Sequence, residues 1–406
     1  MSDILIAGGG IGGLVAALAL LQRGASVRVF EQTEHLREIG AGVQISPNGS
    51  RILDALGLLD EARSIGVQPT GKEIRLWNSG ERWPLFDLGA SAESEYGFPY
   101  LMLHRADLHS LLAHAVIRIA PEAISLGSKV IAVEQDTRHV TVSLSNGTRR
   151  SGDILVGADG VHSIVRDVVG GPAQASFTGC MAWRGVVSTD RLPSRFRRAV
   201  GTNWVGPGRH VVTYPLRRGE LVNFVGVVER NDWTVESWTE RGSREECAQD
   251  FLGWHPDIQV LIGAIEEHYK WALLSRPPMQ RWSCGRVTLL GDACHPMLPF
   301  MAQGAVMAME DGFILARAIA THRESPADAL TVYERARVAR ANRCVMAAER
   351  NRQVFHNDRL ANSDAAARYV SAQWSEDVVR NRYDWLFAYD AVNCPLDVRE
   401  HVEWQY

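Results

Sequence analysis

The chain has 406 residues, 46% of them hydrophobic and 22% charged, the make-up of a globular protein of about two to three domains rather than a disordered or fibrous one. Lysine and arginine number 43 against 47 aspartates and glutamates, so the net charge is −4 and no general positive field exists to hold nucleic acid or an anionic membrane. The six cysteines are scattered without a CxxC pair, which speaks for reduced thiols and against a disulfide scaffold or a metal site of the zinc-ribbon type. No secretory signal opens the chain and no apolar run nears the ~20 residues that span a bilayer, so a cytoplasmic setting is expected, with no nucleic-acid or membrane partner.

Ile4-Leu5-Ile6-Ala7 reads as a parallel strand buried on both faces. It runs into GxGxxG at Gly8, Gly10 and Gly13, with Gly12 between, then a helix over Leu14–Arg23 closed by Gly24. A second strand covers Ser26–Phe30 and ends at Glu31. This is the order of a dinucleotide site: Gly8 for the tight turn, Gly10 for close approach to a pyrophosphate, Gly13 for helix–sheet packing. The helix N-terminus offers the pyrophosphate unpaired N–H groups. Glu31 can accept from a ribose diol and would repel a 2′-phosphate. By itself the motif does not tell FAD from NAD.

The pattern then changes. Leu36–Ser46 is a Gly-punctuated loop and short strand, Ser46-Pro47-Asn48 starts a helix through Leu59, and residues 71–88 are short strands. Leu101–Arg105 is a strand before a helix over Ala106–Ala120. Val130–Asp136, Val140–Leu144 and Asp153–Val156 read as a meander leading to Gly157-Ala158-Asp159-Gly160. Residues 175–280 alternate with period two and are rich in tryptophan, as in an inserted, largely antiparallel sheet. Arg286–Asp292 is again a buried strand, ending in Gly-Asp, before a helix over Gln303–Thr321. The tail from Thr331 is helical, and its arginines, among them Arg335, Arg337, Arg340, Arg343, Arg350 and Arg352, read as a solvated face. The fold class is therefore α/β. Residues 1–174 form a Rossmann-like nucleotide-binding domain with inserted strands near 71–103, and 175–280 a substrate-binding sheet. Residues 281–330 return to the first domain and 331–406 form a C-terminal helical segment.

Three separated motifs, in order along the chain, carry a resemblance to the single-component FAD-dependent aromatic hydroxylases, the group around 4-hydroxybenzoate hydroxylase. They are Gly8–Gly13, the Asp-Gly segment Gly157–Gly160 with Ser163 and Arg166, and Gly291-Asp292 with His295-Pro296 and Pro299. The resemblance implies bound FAD, with NADH or NADPH as a transient electron donor and dioxygen as co-substrate. It places Glu31 on the adenosine ribose, Arg105 on the phosphates or ribitol, and Asp292 on the ribitol side. Asp159 falls in a segment associated with both FAD and NAD(P)H, and Pro299–Ala305, including Gly304, borders the isoalloxazine ring. A homodimer is also implied.

Within that class the chain is similar to hydroxylases of salicylate, 3-hydroxybenzoate and 6-hydroxynicotinate, so a small aromatic acid is the expected substrate. The segment Gly206–Leu216 resembles a strand that in the latter two places His and Tyr in the substrate pocket, here His210 and Tyr214. Four residues apart in a strand, they share a face. Phe300 stands where the salicylate and 6-hydroxynicotinate enzymes carry His, and Pro299 where the 3-hydroxybenzoate enzyme has Gln, although Gln303 is near. The chemistry implied is oxygen transfer from a flavin hydroperoxide to an electron-rich ring. A phenolate is the better nucleophile, so His210 is the candidate base and Tyr214 the candidate hold on the substrate hydroxyl or carboxylate. Without the resemblance His210 reads as structural. His295 beside Asp292 reads as part of a turn and His104 as structural. Arg184 is either a carboxylate partner or half of a cross-strand pair, and Trp183 and Trp204 are core or pocket wall. Two other readings keep the fold: a hydroxylase of a larger phenolic natural product, and a non-catalytic protein that binds through the same architecture.

Overall fold

The computed structural model describes residues 2–36, 41–171, 175–230, 232 and 240–396. Asp3–Ala7 lies inside a six-stranded sheet, parallel to Ser26–Phe30 on one side and Ile154–Gly157 on the other. Ile154–Gly157 in turn runs parallel to Val287–Leu289. These strands are nearly continuous apolar runs because helices cover the sheet: Ile4, Leu5 and Ile6 have no exposed surface. Two of those helices, Ile11–Leu21 and Gly304–Thr321, touch backbone to backbone. A Cβ on Gly312 would sit 2.9 Å from Gly12 O, and one on Gly12 would sit 2.9 Å from Ala308 Cβ. Gly12 is thus needed for helix–helix contact, a role its place in the motif did not announce.

The second sheet has eight strands, antiparallel except at one joint. Its centre is Ser176–Ser188, Leu221–Glu229, Arg209–Leu216 and Val200–Gly206. Val200–Gly206 pairs in parallel with Gly71–Leu76, which carries Arg82–Asp87 at the edge. Residues 71–87, distant in sequence, therefore complete the sheet built by 175–280.

Three local expectations change. The meander's third strand is Arg149–Gly152, whereas Ile154–Gly157 leaves it to join the parallel sheet; the turn at Asp153 separates a half-exposed hairpin from a fully buried strand. The helix from Pro47 stops at Ala55, and a second runs over Leu59–Ile65, because Gly57 between them takes φ +74. The tail arginines do not form a solvated face as a group. Arg337, on the helix Pro326–Phe355, is completely buried, and the Arg340 side chain is 10% exposed. Residues 37–40, within the Gly-punctuated loop, and 397–406 of the tail lie outside the described residues.

The two faces of the second sheet do different things. One packs on Arg244–Asp250 and Pro256–Ala264 through Trp183, Trp204, Phe224, Phe251 and Trp254. Both tryptophans in question are therefore core, and Trp183 donates to Asp250 Oδ2 at 2.6 Å. The other face, bearing Ile74, Val205, Tyr214 and Val227, meets Leu298–Met301 and the C-terminal helices.

Candidate active site

Gly8 leaves its strand with φ +105, and a Cβ there would overlap Ala158 O; Gly13 is as tight, since its Cβ would overlap Gly8 O. Over Gly10 nothing lies within 4 Å. The helix starting at Ile11 has no side-chain cap and no acid in its first turn, so its partial positive charge faces open space suited to a pyrophosphate. Glu31 is held beside this turn: Oε2 accepts from Gly9 N at 2.8 Å and Oε1 from Thr33 N at 2.9 Å. Replacing Gly13 by alanine is expected to weaken retention of the nucleotide cofactor at least ~10-fold, about 1.4 kcal/mol, read from the cofactor content of the purified protein.

Further along the cleft, Arg105 begins the helix Arg105–Ile119 and its N–H donates to Ala41 O at 2.9 Å. Asp292 has exposed surface yet sits deep among protein atoms; desolvation raises its carboxyl, opposed by the charges of His295 and Arg105. Arg105 and Asp292 thus act on one region. Asp159 Oδ2 accepts from Ile164 N at 3.0 Å and Val165 N at 3.3 Å, closing the turn into Val165–Gly170. Its other oxygen, Oδ1, is buried without a hydrogen-bond partner. Arg166 Nη1 donates to Ala293 O at 3.0 Å and so ties the Asp-Gly segment to the Gly-Asp loop.

His295 does not pair with Asp292. Its Nε2 lies 2.5 Å from Asp311 Oδ2, which also accepts from Gly291 N at 3.0 Å and so anchors the Gly-Asp loop. Arg337 bridges Asp311 Oδ1 at 2.7 Å and Glu310 Oε2 at 2.6 Å, and Arg340 adds two bonds of 2.8 Å to Glu310. Asn48 donates to Glu310 at 2.7 Å, and Gln303 to Ser46 at 2.9 Å, joining the 299–305 segment to the same network. Burial would raise the Asp311 carboxyl, but His295 and Arg337 hold it at about 2. Glu310 and Asp311 were not singled out from sequence, and Arg337 only as part of an expected solvated face. The available signal was two adjacent acids inside an apolar helix.

At the other end of the cleft the sheet presents a row of side chains. Lys72 pairs with Gly201, and the strand that carries Gly201 pairs on its other side with Arg209–Leu216, Thr202 lying opposite Thr213. A Cβ on Gly201 would meet Lys72 Cγ at 3.2 Å, so the lysine stem lies over the glycine. Lys72 Nζ donates to Tyr100 Oη at 2.9 Å, Tyr100 donates to Gln44 Oε1 at 2.8 Å, and Gln44 also bonds Tyr214. Lys72 has no carboxylate partner among the described residues. Sequence reading missed it, although Lys72, Ile74 and Leu76 share one strand face, a signal that a charge points inward.

His210 lies on the same face as Tyr214, its ring 4.9 Å from that of Phe300 and 5.3 Å from that of Phe355. Phe300 belongs to the turn Pro299–Met301, where Pro299 is exposed and Ala302 is left-handed at φ 53. Gly304 and Ala305, both half-buried, open the next helix, whose first turn again has no acid. Arg184 lies over the Trp271 ring at 5.0 Å and the Tyr269 ring at 5.7 Å. His104 is buried at the start of the Arg105 helix. Among the described residues, no helix is long and apolar enough to cross a membrane.

A family model described as an FAD binding domain matches residues 1–348. The 3-hydroxybenzoate 6-hydroxylase of Polaromonas naphthalenivorans is 37% identical over 398 residues, 96% of this chain and 97% of that protein. The 6-hydroxynicotinate 3-monooxygenase of Pseudomonas fluorescens is 37% identical over 403 residues, 97% of this chain and 96% of that protein. Among solved structures, Klebsiella pneumoniae HpxO complexed with FAD and uric acid matches at a TM-score of 0.82 and 29% identity, covering 94% of this chain and 96% of that one.

Proposed function

The chain belongs to the FAD-binding-domain family and is an FAD-dependent aromatic monooxygenase, and on that premise we propose that it hydroxylates a small aromatic acid carrying a ring hydroxyl. The cleft fits the cofactor: an uncapped helix N-terminus, open space over Gly10 and a buried, unpartnered oxygen on Asp159. In this reading Gly8, Gly10, Gly12 and Gly13 form the pyrophosphate turn, with Glu31 at the ribose. Arg105, Asp159 and Asp292 line the middle, and Pro299, Gly304 and Ala305 border the ring. FAD, reduced by NADH or NADPH, supplies activated dioxygen for transfer of one oxygen atom. The described parts of 1–174 and 281–330 hold it, the sheet built from 71–87 and 176–229 presents the substrate, and the C-terminal helices between 326 and 387 cover that sheet.

The single observation that carries the substrate class is Lys72. A half-buried ammonium with no carboxylate of its own among the described residues gives up hydration without a compensating charge, and a ligand that brings the missing negative charge relieves this. Tyr214, two strands over, sits beside the same Gln44. In this reading His210 is the base that takes the ring hydroxyl's proton. Two named relatives act on a hydroxybenzoate and a hydroxynicotinate, which agrees with this reading. A cytoplasmic homodimer is part of the proposal; the six unpaired cysteines support the compartment.

The test is NADH and NADPH oxidation with salicylate, 3- and 4-hydroxybenzoate and hydroxynicotinates, with products identified by mass. An acid that accelerates oxidation and gains one oxygen establishes the reading; equal acceleration by phenols lacking the carboxyl overturns the substrate class in favour of a larger or neutral phenol. Lys72→Met is expected to raise KM for the acid about 10- to 100-fold while changing kcat little, measured by steady-state kinetics. Burial draws the Lys72 ammonium down to about 7, so the anchor is charged below that pH and neutral above it. KM in the parent enzyme is therefore expected to climb as pH rises through neutrality, and this climb should vanish in Lys72→Met.

A further inference from the structure

Behind His210 lies a chain of two further groups that the family resemblance did not supply. His210 Nδ1 is 2.7 Å from His356 Nε2, and His356 Nδ1 is 2.8 Å from Glu229 Oε1. His210 and His356 are 2% and 7% exposed, whereas the Glu229 side chain is 42% exposed and reaches solvent. From this geometry we infer that His356 and Glu229 are positioning residues that hold His210 as a base, with its bare Nε2 turned to the substrate.

An ionised carboxylate only accepts, so Glu229 requires the proton of His356 on Nδ1. His356 Nε2 is then bare and can only accept, which requires the proton of His210 on Nδ1. His210 is left with a lone pair on Nε2, the nitrogen not engaged by His356. A carboxylate, reaching through one imidazole, thereby sets the protonation pattern of a second. When Nε2 takes the hydroxyl proton, His210 becomes an imidazolium with both nitrogens protonated. That charge is met by Glu229 through His356, and the proton returns to water as product leaves. Both rings start neutral: burial, then the neighbouring His356, lowers the His210 pKa, and burial lowers that of His356 against the pull of Glu229. Arg352, with a nitrogen 3.8 Å from Glu229, and the buried Cys180 thiol are the other groups at this end. Arg352 adds positive charge where a metal cation would need to sit, so the Cys180, Glu229 and His356 cluster serves the relay better than a metal.

The inference rests on the reading of His210 given above, and two measurements separate the failure of one from that of the other. The first needs no substrate: spectra of the FAD-loaded enzyme with ¹⁵N-labelled histidine are expected to show His210 protonated on Nδ1, and Glu229→Ala to mix its tautomers. The opposite tautomer in the parent, or no change in the variant, overturns the inference. The second uses whichever acid the enzyme hydroxylates. His356→Phe is expected to lower kcat roughly 10- to 100-fold with KM within about twofold, and to regain rate as pH rises and the substrate hydroxyl ionises unaided. A drop of equal size at every pH, with FAD content unchanged, would mean that His356 only fills space and would sink the inference. If no acid is hydroxylated, the proposed function falls and the tautomer measurement still decides.

Discussion

His210→Ala is expected to leave FAD bound and to cut hydroxylation about 10²- to 10⁴-fold, the range that a positioned general base contributes. The cofactor turn and His210 sit on different sheets, and no contact of the imidazole reaches Gly8–Gly13, Arg105 or Asp292 among the described residues, so its removal leaves them in place. What disappears is the only histidine on the strand Arg209–Leu216, packed between Phe300 and Phe355. Because burial, reinforced by His356, holds His210 well below the usual histidine range, it is already a neutral base at pH 7. Lowering the pH through the ordinary histidine value should therefore not silence it. The check is product formation per NAD(P)H oxidised, alongside flavin content. Near-normal product yield in the variant would remove His210 from the mechanism.

The second large effect concerns stability. Arg337→Leu would leave Glu310 and Asp311 buried without the guanidinium that bridges them, at an expected cost of ~3–5 kcal/mol. Arg340 still reaches Glu310, but Asp311 is then left with the His295 ring and the Gly291 N–H as its hydrogen-bond partners. The loss is read as a shift of the urea midpoint of the FAD-loaded enzyme. Pairing the change with Glu310→Gln and Asp311→Asn should restore much of it, since no buried charge is then orphaned. The acid limb follows the same logic. Burial raises the Asp311 carboxyl, but His295 and Arg337 overcome it and hold it at about 2, below its value in the unfolded chain. Its contribution is thus complete above the unfolded value near 4 and is lost as pH falls towards 2. A parent enzyme and an Asp311→Asn variant with identical acid limbs would contradict this.

This cluster also shows where reading the chain stops. Arg337 and Arg340 sit in a helix whose arginines come at intervals typical of a solvated face, and nothing within the helix says otherwise. Their burial is tolerable only because Glu310 and Asp311 arrive from another helix, 26 to 30 positions earlier. Lys72 is the same kind of case. Its neighbours Glu73 and Arg75 make it look like one of a charged run, yet Glu73 turns to Arg198 and Arg75 on the far side. Lys72 lies on the inner face, over a glycine contributed from 129 residues away.

What the chain determined by itself is the nucleotide turn and the α/β order around it. Strand, glycines, helix and second strand are contiguous, and each glycine answers a local demand, a positive φ at Gly8 and an overlap with Gly8 O at Gly13. The shared face of His210 and Tyr214 was legible for the same reason, since a strand's period of two is a local property. Only the tertiary structure decided the partners: His295 with Asp311, Arg337 with two acids, Lys72 with Tyr100, and His356 and Glu229 behind His210. Periodicity tells which way a side chain points, but the free energy of a buried charge or imidazole depends on the group it meets, and that group comes from whichever distant segment the packing of sheets and helices brings opposite.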